Sequence, residues 1–133
     1  MKLTDEERKP VVAHRIQRAK ETLLDAKIMA ESERWHGTIN RLYYACYYIA
    51  SALLIKHGHL TRTHSGVIRL LNEHFVQKGI VSDEQGRFYG RLFALRQTGN
   101  YNDWVDVKPE NVKLTVAPAE EFITTIEKLI LLP

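Results

Sequence analysis

An all-α fold, an up-and-down antiparallel bundle of about five helices, is predicted by three features of this 133-residue sequence. Apolar residues recur three and four positions apart, the repeat that places them on one stripe of a helix. No stretch alternates apolar with polar residues as a half-buried strand would. Capping residues, glycines and prolines divide the periodic segments into lengths suited to antiparallel helices with short connections.

Thr4 with Glu7 three residues on is a capping-box pattern, so the first helix is expected to start at Asp5. Pro10 lies late for a first-turn proline. Val12, Ile16, Ala19, Leu23, Ala26 and Ala30 then form a narrow apolar stripe. A second helix is expected from Thr38 to His57, with Ile39, Leu42, Cys46, Ile49, Leu53 and Leu54 inward and Gly58 as terminator. The third covers Thr63 to Lys78, with Val67, Ile68, Leu71, Phe75 and Val76 inward and Gly79 at its end. Ser82 with Gln85 opens a fourth helix carrying Phe88, Leu92, Phe93 and Leu95 up to Arg96, where the chain is expected to turn sharply on Gly99 and Asn100. A last helix follows Pro109 and holds Leu114, Phe122, Ile126, Leu129 and Ile130, with Pro118 expected to kink it or mark its true start.

The length fits one domain over residues 1–133. A composition of 44% hydrophobic and 26% charged residues is that of an ordinary globular chain. A net charge of only +3 excludes a polybasic nucleic-acid arm but leaves room for a local basic cluster. The single cysteine, Cys46, cannot form an intramolecular disulfide, which fits a reducing compartment. The opening MKLTDEERKP lacks the apolar core of a signal peptide. The longest apolar run, YYACYYIASALLI, is about 13 residues where a bilayer needs about 20. A cytoplasmic protein without membrane association is the expectation.

Three polar constellations stand out. Asn40, Tyr44, Tyr47 and Ser51 step along one face of the second helix, beside its apolar stripe. They fit either core-edge or dimer-interface tyrosines with wet hydroxyls, or one wall of a polar groove that opens on Asn40 and Arg41. Arg96 fits either a cation complementing a helix C-terminus or a planar guanidinium presented to a phosphate, with Arg87 and Arg91 stepping toward it and Asn100 and Tyr101 just beyond. His57, His59 and His64 lie around the loop joining the second and third helices, with His74 further along, but no cysteine or spaced carboxylate completes a zinc set, so no metal or other cofactor is expected. His64 is read instead as capping the third helix or facing the groove.

The blocks NRLYYACYYIASALL, THSGVIRLLNEHFVQKG and RFYGRLFALRQTGNY resemble the HEPN domain family, over about residues 10 to 130. The resemblance is closest to small stand-alone prokaryotic members, often encoded beside a minimal nucleotidyltransferase. It implies a helical bundle that dimerises. It also implies kinship with metal-independent endoribonuclease toxins, whose site is an arginine followed four to six residues later by a histidine, paired across the dimer. Arg96 matches that arginine. The histidine's slots hold Tyr101, Asn102 and Asp103, and no histidine follows His74; Gln97 stands where active members often carry Asn or Asp.

Tyrosine, with an ordinary pKa near ~10, is a poor base at neutral pH, and loss of a proton-transfer group costs ~10²–10⁴-fold. Asp103 is the remaining candidate base. Two functions follow. One is a dimeric binding module whose Arg96–Tyr101 groove, with Asn40, Arg41, Tyr44, His64, Gln97 and Asn100, holds a nucleotide or RNA phosphate and which pairs with a nucleotidyltransferase antitoxin. The other is a ribonuclease toxin with an altered acid/base set built on Arg96, Tyr101 and Asp103. The resemblance further implies Tyr101 as a residue that a partner transferase modifies; the other reading of Tyr101 is a hydrophobic lid packed over the fourth and fifth helices.

Overall fold

The first helix starts where its capping residues place it. In the computed structural model, which describes residues 3–101 and 108–133, α1 spans Asp5–Glu31. Thr4 Oγ1 accepts from the Glu7 amide at 3.1 Å, and Glu7 Oε1 accepts from the Thr4 amide at 2.9 Å. Pro10 is carried inside this helix, close to its exposed N-terminal end. α2 spans Trp35–Lys56, three residues earlier than its sequence signal, because the Thr38 hydroxyl donates back to the Arg34 carbonyl at 2.9 Å instead of capping. It ends as expected on Gly58, whose φ of +81° lets the His59 amide donate to the Leu54 carbonyl at 2.9 Å.

α3 spans His64–Leu71, and Thr63 caps it by accepting from the Gly66 amide at 2.9 Å. His64 is therefore the first helical residue and not the cap. The helix expected to run on to Lys78 changes character at Asn72. Residues Asn72–Val76 form a π-helical turn, and the Gln77 amide bonds the Asn72 carbonyl at 2.8 Å. Apolar spacing cannot tell the wider turn from the ordinary one, since Phe75 is buried in either. Gly79, at φ +75°, closes the segment.

α4 spans Asp83–Tyr101, with Ser82 Oγ accepting from the Gln85 amide at 3.1 Å. This corrects the expected end at Arg96: Gly99 and Asn100 continue the helix instead of turning it. Both residues tolerate left-handed backbone but do not require it, and a glycine inside a helix costs only about 1 kcal/mol. Arg96 thus stands before the last turn, which carries no basic residue, so the dipole-complementing reading falls. α5 spans Pro109–Ile130, beginning on its proline; Pro118 lies inside it and does not mark its start. Leu114 is 75% exposed, so it does not join the apolar face assigned to it.

Pairwise contacts give the directions. Arg15 meets Ser51, Gly37 abuts Met29, and Gly58 approaches Arg8, so α1 and α2 run antiparallel. Lys20 with Glu127 and Lys27 with Glu120 set α5 antiparallel to α1. Gln85 with Thr125 and Phe88 with Phe122 set α4 antiparallel to α5. α2 sits at the centre and contributes a large share of the buried residues, among them Leu42, Tyr43, Cys46, Ile49 and Leu53. No strand occurs among the described residues, and none of their helices is long and apolar enough to cross a membrane.

Candidate functional site: an arginine, a histidine and three tyrosines

The centre of the site is a residue that belongs to the core. Tyr43 follows Ile39 by four and precedes Cys46 by three, so it extends the apolar stripe of α2, and its side chain is fully buried. Its ring stacks on Tyr89 of α4, centroids 6.1 Å apart and planes within 2°. Burial holds the phenol well above its ordinary value, so it remains a neutral hydroxyl. That hydroxyl lies 2.5 Å from His64 Nδ1.

Arg96 reaches the same place from α4. Its Nη2 donates to the Tyr44 hydroxyl at 3.0 Å, and its guanidinium carbon lies 5.3 and 5.1 Å from the ring centroids of Tyr43 and Tyr44, within cation–π range. The Arg96 Nε is buried with no hydrogen-bond partner among the described residues, and no described carboxylate pairs with the guanidinium. His64, at the start of α3, completes the group. It stacks on Tyr47 with centroids 4.5 Å apart and sits edge-on to Tyr44 at 5.8 Å. Burial, then the Arg96 charge, hold its imidazole below the usual histidine value, so it is neutral at pH 7. Its Nε2 has no hydrogen bond to any described residue.

The structure therefore brings together Arg96, Tyr44, Tyr47 and His64 of the residues singled out from sequence, and adds Tyr43. Asn40 and Arg41 are half-buried at the start of α2, without a hydrogen bond or ring contact to the cluster. Gln97 is exposed. Asn100 and Tyr101 close α4, and Asp103 lies outside the described residues. The polar row on α2 does not act as one wall. Ser51 is buried against α1, accepting from Arg15 Nη1 at 3.3 Å and donating to the Tyr48 carbonyl at 2.9 Å. Arg15 lies over Tyr47 and Tyr48, and Arg18 over Tyr48, a contact between α1 and α2 that the sequence pattern did not suggest.

As for metals, no group of three His, Cys, Asp or Glu among the described residues is arranged to hold an ion. His59 and His74 stack face to face at 3.8 Å, away from the cluster. His57, His59 and His64 all lie below the ordinary value of 6.5, each chiefly through burial. Between those lowered values and 6.5 the unfolded chain binds more protons than the folded one, so stability falls as pH drops through this window. A thermal midpoint lower at about pH 5.5 than at about pH 7.5 is the expected result in a melting series.

The HEPN domain family model matches residues 12–129. A UPF0332 protein of Thermotoga maritima is 44% identical over 124 residues, spanning 93% of this chain and 94% of that protein. A protein of Methanocaldococcus jannaschii named "putative toxin" is 30% identical over 113 residues, spanning 85% of this chain and 84% of that protein. A UPF0332 protein of Archaeoglobus fulgidus is 28% identical over 109 residues, spanning 82% and 86%.

Proposed function

This chain belongs to the HEPN domain family, and from that premise we propose that it is a toxin-like protein whose Arg96 cluster holds the phosphate of a nucleotide or an RNA. The observation that carries the reading is an arginine with no described acid to neutralise it, braced by the Tyr44 hydroxyl and by two aromatic rings. A half-buried cation left without a counter-ion is costly unless a ligand supplies one. A planar guanidinium so fixed loses little freedom on binding and meets two phosphate oxygens in its fork. The relative named as a toxin supports the biological setting. The cellular partner we propose is a nucleotidyltransferase acting as antitoxin, on a homodimer of this chain.

Fluorescence anisotropy with a labelled adenine nucleotide, competed by unlabelled nucleotide and by inorganic phosphate, tests the site. Saturable binding displaced by both is the expected result. No binding at millimolar nucleotide would overturn it. Light scattering at micromolar concentration tests the dimer separately, and a monomer mass would remove it.

A further inference from the structure

Three hydrogen-bond donors gather around Tyr44 with no described acceptor to receive them. The first is Arg96, which spends one N–H on Tyr44 and keeps the others. The second is Tyr44 itself: its oxygen accepts from Arg96, which leaves its own O–H to donate outward. The third is His64. The buried Tyr43 hydroxyl needs an acceptor, and Nδ1 stands 2.5 Å away. Donation to Nδ1 puts the ring hydrogen of the neutral imidazole on Nε2, the nitrogen that no described residue occupies.

We infer that this cluster takes a terminal phosphate, the phosphomonoester of a nucleotide, in preference to an internal phosphodiester, and that His64 takes up a proton from the buffer as it binds. The inference rests on the phosphate reading above and names its ligand class. A phosphomonoester at neutral pH carries about 1.5 to 2 negative charges and three acceptor oxygens, whereas a diester carries one charge. Three oxygens match three donors. The charge decides the proton. The groups that face His64 are Tyr43, Tyr44 and Tyr47 from α2 and Arg96, with the Phe93 ring, from α4. Without a ligand, burial first and then the one full charge among them, which is positive, keep the imidazole neutral. A diester cancels that charge and stops there. A dianion cancels it and leaves negative charge over, which favours the imidazolium and turns its Nε2–H into a charge-assisted donor. Tyr43 is the positioning residue: a hydroxyl both donates and accepts, so it follows the change by accepting from the Nδ1–H and turning its own hydrogen toward the buried Tyr89 hydroxyl, which has no partner among the described residues.

Titration calorimetry in two buffers of different ionisation heat tests this, using adenosine 5′-monophosphate and, as the diester without a terminal phosphate, the dinucleoside adenylyl-adenosine. The wild-type chain is expected to take up close to one proton with the monophosphate above about pH 7. Its affinity should fall as pH rises, at no more than ~10-fold per pH unit, the limit for one proton. The dinucleoside should bind at least ~10-fold more weakly. His64→Asn keeps a side-chain donor but cannot titrate, so it should bind the monophosphate with no proton uptake and a flat pH profile. Tyr43→Phe should retain binding, while nitrogen-15 NMR shows His64 losing its single tautomer. Proton uptake that survives in His64→Asn, or a dinucleoside bound as tightly as the monophosphate, overturns the inference and leaves the phosphate site standing. Failure of both ligands to bind a folded wild-type chain overturns the phosphate site and this inference together.

Discussion

Replacing Arg96 with alanine is expected to weaken nucleotide binding ~30–150-fold while the bundle stays folded. A hydrogen bond to a charged group is worth about 1.5–3 kcal/mol, and the upper part of that range corresponds to the stated loss. The fold tolerates the change because Arg96 is a half-buried side chain lying on Tyr43 and Tyr44 and not a filler of the core. Loss of its cation–π contacts costs about 0.5–2 kcal/mol, against a typical domain stability of about 5–15 kcal/mol. Arg96→Lys separates charge from geometry. Lysine keeps a cation near the rings but not the planar fork, so binding should be intermediate, weaker than wild type by ~3–10-fold. Anisotropy titrations of the three proteins, each with a melting curve, give the comparison. Equal binding by all three would rule out a phosphate role for this residue.

The largest stability effect is expected at Tyr43. Tyr43→Ala empties a fully buried site packed against Tyr89, Phe93 and His64, and should cost ~3–5 kcal/mol, as large-to-alanine changes of aromatic core residues do. Tyr43→Phe keeps the ring and removes only the hydroxyl that bonds His64, so its cost should be about 1 kcal/mol. Urea denaturation of both variants measures the difference. Tyr43→Ala within about 1 kcal/mol of wild type would contradict the packing described. The pair also shows why site and core cannot be separated here: one side chain fills the bundle with its ring and orients the site with its oxygen.

Much of the fold was legible because helix periodicity and capping are local signals. The Thr4–Glu7 box, Gly58, Gly79 and Ser82 all act where the sequence places them, within a residue or two. What failed locally failed for physical reasons. Gly99 and Asn100 permit a turn without requiring one, and Thr38 satisfied its hydroxyl on a carbonyl behind it. The site was less legible. Arg96 and the α2 tyrosines announced themselves by type, yet the contact between Arg96 and Tyr44 joins residues 52 positions apart. The contact between Tyr43 and His64 spans 21. No spacing rule reaches across such distances, because they are set by which helices the bundle packs together. Tyr43 itself carried a usable signal, its place in the apolar stripe, which marks a tyrosine whose hydroxyl must find a partner inside.

The absence of a histidine after Arg96 looks different once the helices are in place. An imidazole does stand beside that arginine, but it comes from the start of α3 and is oriented by Tyr43. In its proposed role it donates and takes up a proton, which needs no second acid or base.

The most direct measurement is a crystal structure of the chain grown with adenosine 5′-monophosphate. Phosphate oxygens are expected at about 3 Å from the Arg96 guanidinium, the Tyr44 hydroxyl and His64 Nε2. A phosphate seated elsewhere, against Arg87 and Arg91 for instance, with the Arg96–Tyr44 hydrogen bond undisturbed, would contradict the proposed site.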